Sequence, residues 1–159
     1  MEIEVGKFKN KKELYERLNK SLVDLLKESD DLISNLANSS ALIKFFLDDI
    51  NWVGFYLMKE GLLVLGPFQG KPAVTQIRIG AGVCGTAVLE KKTQRIDNVH
   101  NCSNHIACDL ASVSEIVVPF MKGGHALGVL DIDSPIEARF DDDDEKGLEN
   151  LVKTLLPIF

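Results

Sequence analysis

The turn at Gly123-Gly124 constrains the fold most, because it joins two runs of strand-forming residues, 115–121 and 125–133. Glycine reaches the positive φ angles that tight hairpin turns require. Strands joined by a tight turn are antiparallel, whereas a doubly wound parallel sheet needs a crossover helix between successive strands. A second turn signal, at 59–61, follows the aromatic and β-branched run 52–58. The sequence therefore predicts an antiparallel sheet.

Helical patterns lie on both sides of these strands. Asn10 followed by Glu13 is typical of an N-cap with its reciprocal acid, and it opens a helix through about Lys27. Apolar spacing predicts further helices at about 31–47 and 142–155. The remaining elements are a short helix at 86–91 and strands at 52–58, 62–65, 75–79, 94–96, 115–121 and 125–133. We expect an α+β fold, with helices flanking a six-stranded antiparallel sheet, in one domain over residues 1–159.

Composition excludes several classes of function. The chain has 24 acidic and 18 basic residues and a net charge of −6, which gives no electrostatic basis for binding nucleic acid. No apolar stretch approaches the ~20 residues that cross a bilayer, and the first ten residues lack the apolar segment of a secretory signal. Three cysteines are too few for a disulfide scaffold, which favours a cytoplasmic protein with reduced thiols. We expect neither nucleic acid nor a membrane as a partner.

The three cysteines are candidates for chemistry. Cys84 lies among glycines just before a predicted helix, and a helix dipole lowers the pKa of a thiol at its N-terminus. Cys102 and Cys108 lie in the long polar segment 97–114, where a reactive role is the better interpretation. For Cys84, the alternative is a small buried hydrophobic residue.

The same segment also offers nitrogen and sulfur ligands for zinc, from His100, Cys102, His105 and Cys108. Structural zinc sites usually draw paired ligands from two separated segments, so that the metal closes a loop between them. Four ligands in one loop rarely reach a tetrahedron without strain. We expect neither a metal nor a cofactor.

Acidic residues form a second candidate group. Asp131 and Asp133 are two apart on a predicted strand, so both face one side of the sheet, and Glu115 opens the neighbouring strand. Same-face carboxylates bordered by apolar residues are unfavourable unless they bind a cationic group or share a proton. The alternative is an exposed sheet face with solvated acids. The acidic run 141–144 precedes a helix, where we expect solvated, dipole-favoured charges and no chemistry.

Aromatic residues form a third candidate group. Trp52 and Tyr56 are four apart in a predicted strand and share a face, with Phe55 on the opposite face. Core packing is one interpretation. The other is the wall of a partly wet small-molecule pocket, because Trp52 follows the polar segment 49–51.

Short blocks of sequence identify a resemblance. The blocks occur in order between residues 35 and 134, and they read NLANSSAL, DINWVGFYL, LVLGPFQG, GVCGTA, HIACD, SEIV and GVLDIDS. Together they resemble the free methionine-(R)-sulfoxide reductases, which are GAF-domain enzymes. Other GAF sensor domains share the fold but not these cysteine and acid blocks, so the match is specific.

The resemblance implies a GAF-like fold, a homodimer and reduction of the R epimer of free methionine sulfoxide to methionine, with thioredoxin as the regenerating partner. Cys108 matches the attacking cysteine, which would pass through a sulfenic acid, and Cys84 matches a second cysteine that takes part in recycling. The pocket wall around the S-methyl group would be Trp52 and Tyr56. The carboxylates that bind the substrate and assist proton transfer would be Glu115, Asp131 and Asp133.

One block departs from the family pattern. Val74 stands where the family usually has its principal resolving cysteine, and Cys102 stands where the family usually has an apolar residue. We expect Cys102 or Cys84 to replace the missing thiol, with Cys102 preferred, or a reductant to attack the sulfenic acid directly. The alternative function is a non-catalytic GAF module that binds a small amino-acid-like ligand or acts as a sensor.

Overall fold

The first two helices begin within a residue of the positions that the sequence predicts. The computed structural model describes residues 6–103 and 111–159. Helix α1 (Lys11–Leu26) follows Asn10, whose side chain accepts a 2.9 Å hydrogen bond from the backbone of Glu13. Helix α2 (Leu32–Phe46) follows Asp31, whose side chain caps the backbone N–H three residues on. Both predicted helix starts are confirmed.

The strands form one six-stranded sheet of order β3-β2-β1-β6-β5-β4, and every neighbouring pair is antiparallel. The predicted α+β class is therefore confirmed. The strands are β1 (Trp52–Lys59), β2 (Leu62–Gln69), β3 (Gln76–Arg78), β4 (Gln94–Ile96), β5 (Ser114–Lys122) and β6 (His125–Ser134). The other elements are α3 (Gly82–Glu90), α4 (Asp142–Leu155) and the short 3₁₀ helices Val99–Asn101 and Leu156–Ile158.

Two elements, β2 and α3, extend four residues beyond the ranges that the sequence predicts. Strand β2 continues four residues past Leu65 and contains Pro67, which has no N–H to donate to a neighbouring strand. Proline is tolerated there because β3 pairs with β2 only as far as Val64 and the β1 pairing is bulged nearby. Helix α3 begins at Gly82 rather than at residue 86, so Cys84 lies inside its first turn.

The sheet separates two apolar layers. On one face, residues such as Phe55, Ile116 and Leu130 pack against α1, α2 and α4. On the other face, Trp52, Tyr56 and their neighbours pack against α3. Within residues 6–103 and 111–159, no helix combines the length and apolar character needed to cross a bilayer. Three of the candidate site residues, Trp52, Tyr56 and Cys84, belong to this second layer.

One member of the acidic run 141–144 does not match its prediction. Asp144 is buried rather than solvated. It accepts hydrogen bonds from the Tyr15 hydroxyl (2.8 Å), from Lys11, from Arg139 and from the backbone of Asp141. Burial is tolerated because these donors compensate the charge, and the carboxylate thereby joins α4 to α1.

Candidate active site

Strand register places the candidate acids side by side. Glu115 of β5 pairs with Asp133 of β6, and Asp133 pairs with Trp52 of β1. Asp131, two residues before Asp133, pairs with Gly54 on β1. Residues two apart in a strand face the same side, so all three acids and Trp52 share the face covered by α3. We call Glu115, Asp131 and Asp133 the acid cluster.

The acid cluster is buried. Glu115, Asp131 and Asp133 are 4%, 1% and 2% exposed, respectively. The alternative of solvated acids on an open sheet face is therefore wrong. Burying three carboxyl groups together is unfavourable unless protons or a ligand compensate their charge.

Burial and mutual repulsion change the acidity of the cluster. Burial raises the pKa of Glu115 well above its usual range, and the charge of Asp133 raises it further against an opposing hydrogen bond with Asp131. Burial raises the pKa of Asp131 in the same way, with contributions from the charge and hydrogen bond of Glu115. Within the described part of the chain, Asp131 Oδ1 is buried without a hydrogen-bond partner. Burial therefore favours the protonated form of the Glu115–Asp131 pair, compared with ordinary exposed carboxyl groups.

Helix α3 brings Cys84 against the acid cluster. The Cys84 thiol is buried in the first helical turn and hydrogen-bonds to Asp131. Its sulfur, one carboxylate oxygen of Glu115 and one of Asp131 lie within 4.8 Å of one another. Close approach of α3 to β3 depends on Gly85, where an added Cβ would lie 2.4 Å from the carbonyl oxygen of Arg78. Cys84 lies within the first turn of α3 instead of just before the helix, and its redox role stays a prediction.

Three stacked rings flank the acid cluster, and we call Trp52, Tyr56 and Phe68 the aromatic wall. The ring centroid of Trp52 lies 6.1 Å from that of Tyr56, with an interplanar angle of 25°. It lies 5.3 Å from that of Phe68, with an interplanar angle of 15°. Trp52 Nε1 donates to the carbonyl oxygen of Lys71 at 3.1 Å, and the Tyr56 hydroxyl donates to that of Val74 at 2.8 Å. These bonds fix the orientation of two buried rings beside the carboxylates.

Comparison with known proteins identifies the family. A model of the GAF domain matches residues 39–155. The free methionine-R-sulfoxide reductase of Escherichia coli (strain K12) is 51% identical over 146 residues, which are 92% of this chain and 88% of the relative. The chain belongs to the free methionine-(R)-sulfoxide reductase family of GAF-domain proteins.

Solved structures agree with this membership. Free methionine-R-sulfoxide reductase from Neisseria meningitidis in complex with its substrate has a TM-score of 0.94 at 38% identity, covering 100% of this chain and 96% of that one. The fRMsr of Staphylococcus aureus in complex with substrate has a TM-score of 0.86 at 47% identity, covering 98% and 99%. The predicted family and GAF fold are confirmed.

Val74, where the chain departs from the sequence pattern of the family, lies beside the aromatic wall. Val74 contributes its backbone carbonyl to Tyr56, whereas its side chain is 36% exposed. The segment is thus held through its main chain.

Of the other two candidate cysteines, Cys102 is among the described residues. Cys102 is partly exposed, follows the 3₁₀ helix Val99–Asn101 and is not part of the group that Cys84 forms with the acids. Cys108 and His105 lie outside the described residues. The attacking role of Cys108, the resolving role of Cys102 or Cys84, and the absence of zinc from this segment all stay predictions.

Two polar residues near the site were not singled out from the sequence. The Asn51 amide donates to the hydroxyl of Ser112 at 3.1 Å, and the backbone of Asn51 donates to the carbonyl oxygen of Asp133. Asn51 Oδ1 is buried without a hydrogen-bond partner in residues 6–103 and 111–159. In the sequence, the one indication of this role is that Asn51 is a polar residue directly before Trp52. The orientation of Asn51 depends on the pairing of β1 with β6, which the sequence does not give.

Proposed function

We propose that the protein reduces the R epimer of free L-methionine sulfoxide to L-methionine by thiol chemistry. The observation that carries the proposal is the buried acid cluster beside the aromatic wall. Relatives whose structures contain the substrate support it, as does the reductase from E. coli.

The acid cluster suits proton delivery to the sulfoxide oxygen. That oxygen leaves sulfur only when it is protonated, so the reaction needs an acid that still holds its proton near neutral pH. Burial and the charge of Asp133 raise the pKa of Glu115, which favours this state. We assign proton donation to the Glu115–Asp131 pair, in which one shared proton serves both carboxyl groups.

The same cluster suits the ammonium group of a free amino acid. Three buried carboxyl groups need a positive charge for full compensation, and methionine sulfoxide within a polypeptide lacks the ammonium. The aromatic wall offers an apolar surface to the S-methyl group. The proposed specificity is therefore for the free amino acid.

Cys108 supplies the nucleophile in this proposal. Its thiolate attacks the sulfoxide sulfur. In the net step, the oxygen passes to the cysteine sulfur, methionine sulfoxide gains two electrons and Cys108 becomes a sulfenic acid. A second thiol, from Cys102 or Cys84, condenses with the sulfenic acid, forming a disulfide and releasing water. The dithiol of thioredoxin then reduces the disulfide by exchange.

We further propose, on the family resemblance and the use of reduced thiols, that the chain is a single domain over residues 1–159 that forms a homodimer in the cytoplasm. Light scattering of the purified protein measures the assembly. A mass of one chain at all concentrations would contradict the homodimer.

The decisive experiment is thioredoxin-coupled oxidation of NADPH with each epimer of free methionine sulfoxide and with a peptide-bound sulfoxide. We expect turnover of the free R epimer only, and dithiothreitol in place of thioredoxin separates substrate reduction from recycling. Equal turnover of both epimers, or none with dithiothreitol, would refute the proposal. Saturable binding of the sulfoxide without turnover would instead establish the non-catalytic ligand-binding module.

A further inference from the structure

Cys84, Glu115 and Asp131 place a sulfur and two carboxyl groups together, and we call these residues the thiol–acid triad. They come from three different elements, helix α3 and the neighbouring strands β5 and β6, and they meet on the face of the sheet that α3 covers. Their candidate ligand atoms lie within 4.8 Å of one another, and all three side chains are buried. These candidate ligands come from separate elements, whereas the candidate zinc ligands at residues 100–108 all come from one loop.

The triad fits the donor preferences of a borderline-soft divalent cation such as zinc. Zinc binds thiolate sulfur at ~2.3 Å and carboxylate oxygen at ~2.0–2.2 Å, so ligand atoms around one ion lie roughly 3.5 Å apart. Three protein ligands with one open position are a common zinc arrangement. The separations between these atoms need to shorten by at most about 1.3 Å to reach this geometry.

A second observation points to a ligand at the same place. Asp131 Oδ1 is buried without a hydrogen-bond partner in the described residues. Buried polar atoms are nearly always satisfied, and an ion is one of the accepted explanations for an exception. Asp133, which pairs with Glu115 across β5 and β6, adds a further negative charge next to the triad.

We propose that the thiol–acid triad binds one zinc-like divalent cation per chain, and that the bound cation inhibits the protein by competing with the ammonium group of the substrate. The inhibitory part rests on the proposed function, whereas cation binding does not. Binding must displace the thiol proton and the proton shared by the carboxyl groups, since metal ligands are deprotonated. Affinity should therefore rise with pH, with protons released in proportion to the metal bound.

Cobalt(II) is the probe, because a thiolate ligand gives it a sulfur-to-metal charge-transfer absorption. The metal-free protein is titrated with cobalt in a buffer that contains a phosphine reductant, which keeps the thiols reduced. Zinc added afterwards should displace the cobalt and remove the absorption. We expect one cobalt per chain. Cys84→Ser should abolish the absorption, and Asp131→Asn should weaken binding by about ten-fold or more. Cys102→Ser is the matched control, because Cys102 is not part of the triad, and it should bind like the wild type.

Several results would overturn the proposal. One is that the wild type shows no sulfur-to-cobalt charge-transfer absorption. Another is that this absorption survives in Cys84→Ser, and a third is that it is lost in Cys108→Ser, where Cys84 is intact. Circular dichroism monitors folding, and Glu115→Gln provides a second carboxyl variant if Asp131→Asn fails to fold. Methionine sulfoxide should displace cobalt from Cys108→Ser, which cannot turn over. Binding without displacement would overturn the inhibitory part alone. The activity of the metal-free protein tests the proposed function separately.

Discussion

Adding one methyl group at Gly54 tests whether the aromatic wall and the acid cluster depend on close packing of β1 and β2. A Cβ at this position would lie 2.3 Å from Cβ of Phe68, 2.8 Å from Cη2 of Trp52 and 2.9 Å from Cα of Phe68. Ordinary carbon contacts are about 3.5–4.0 Å. Because two of the contacted atoms belong to Phe68 close to its backbone, rotation of a side chain cannot relieve the overlap. Strands β1 and β2 must therefore separate by about 1 Å or more, and the Trp52 ring must move as well.

The expected penalty follows from that overlap. Inserting a methyl group into a packed interior typically costs about 1–3 kcal/mol, and contact with backbone atoms places Gly54→Ala at the upper end, near 3 kcal/mol. In a chain of this length, each kcal/mol shifts the Tm by about 2–4 °C, so we expect a loss of about 6–12 °C. Displacement of Trp52 should also lower kcat/KM for the sulfoxide by about ten-fold or more.

Gly66→Ala is the matched control, on the neighbouring strand of the same sheet. Its Cβ would meet the carbonyl oxygen of Phe55 at 3.0 Å and no other atom closer than 3.4 Å, so the stability should stay within about 1 kcal/mol of wild type. Urea unfolding followed by fluorescence of Trp52, the single tryptophan, reports on the site itself. If Gly54→Ala and Gly66→Ala have the same Tm and kcat/KM, the packing argument is wrong.

Three further predictions concern charge, recycling and the helix contact. Burial and the Asp133 charge raise the pKa of Glu115, so the folded state binds more protons than the unfolded state between about pH 4, the ordinary carboxyl pKa, and the raised value. The free energy of unfolding should fall as pH rises through that window. Glu115→Gln should flatten this fall in urea titrations at several pH values, and an unchanged slope would contradict the assignment. After oxidation with one equivalent of substrate, mass spectrometry should detect a Cys102–Cys108 disulfide; a Cys84–Cys108 bond that persists in Cys102→Ser would show the preference for Cys102 to be wrong. Tyr15→Phe removes a hydrogen bond to buried Asp144 and should lower the free energy of unfolding by about 2 kcal/mol with unchanged activity. A decrease smaller than about 0.5 kcal/mol, the lower limit for a typical hydrogen bond, would contradict the proposed role of Asp144 in joining α1 to α4.

The fold could be predicted because its signals are local. The N-cap at Asn10 and the Gly123-Gly124 turn each act over a few residues, and each lies where the pattern places it. The start of α3 could not be predicted, because two glycines lower its intrinsic helix propensity. Packing of that helix against the sheet overrides the local preference.

The site could be predicted only in part. Alternation along β6 predicts that Asp131 and Asp133 share a face, but it does not say whether the face is buried. The partner of Glu115 depends on a shift in the β5–β6 register between Phe120 and Met121. Continued from the turn without that shift, the register would pair Glu115 with Ile132 instead of Asp133. A bulge of this kind has no clear signature in a single sequence.

The two hydrogen bonds that orient Trp52 and Tyr56 end on main-chain carbonyls, those of Lys71 and Val74. Every amino acid provides the same carbonyl oxygen, so the side chain at position 74 is decoupled from the support of the rings. A thiol at this position can be gained or given up in evolution without rebuilding the pocket. Under the proposed function, the recycling route is therefore an exchangeable part of the molecule, and we expect Val74→Cys to change that route while the binding surface is retained.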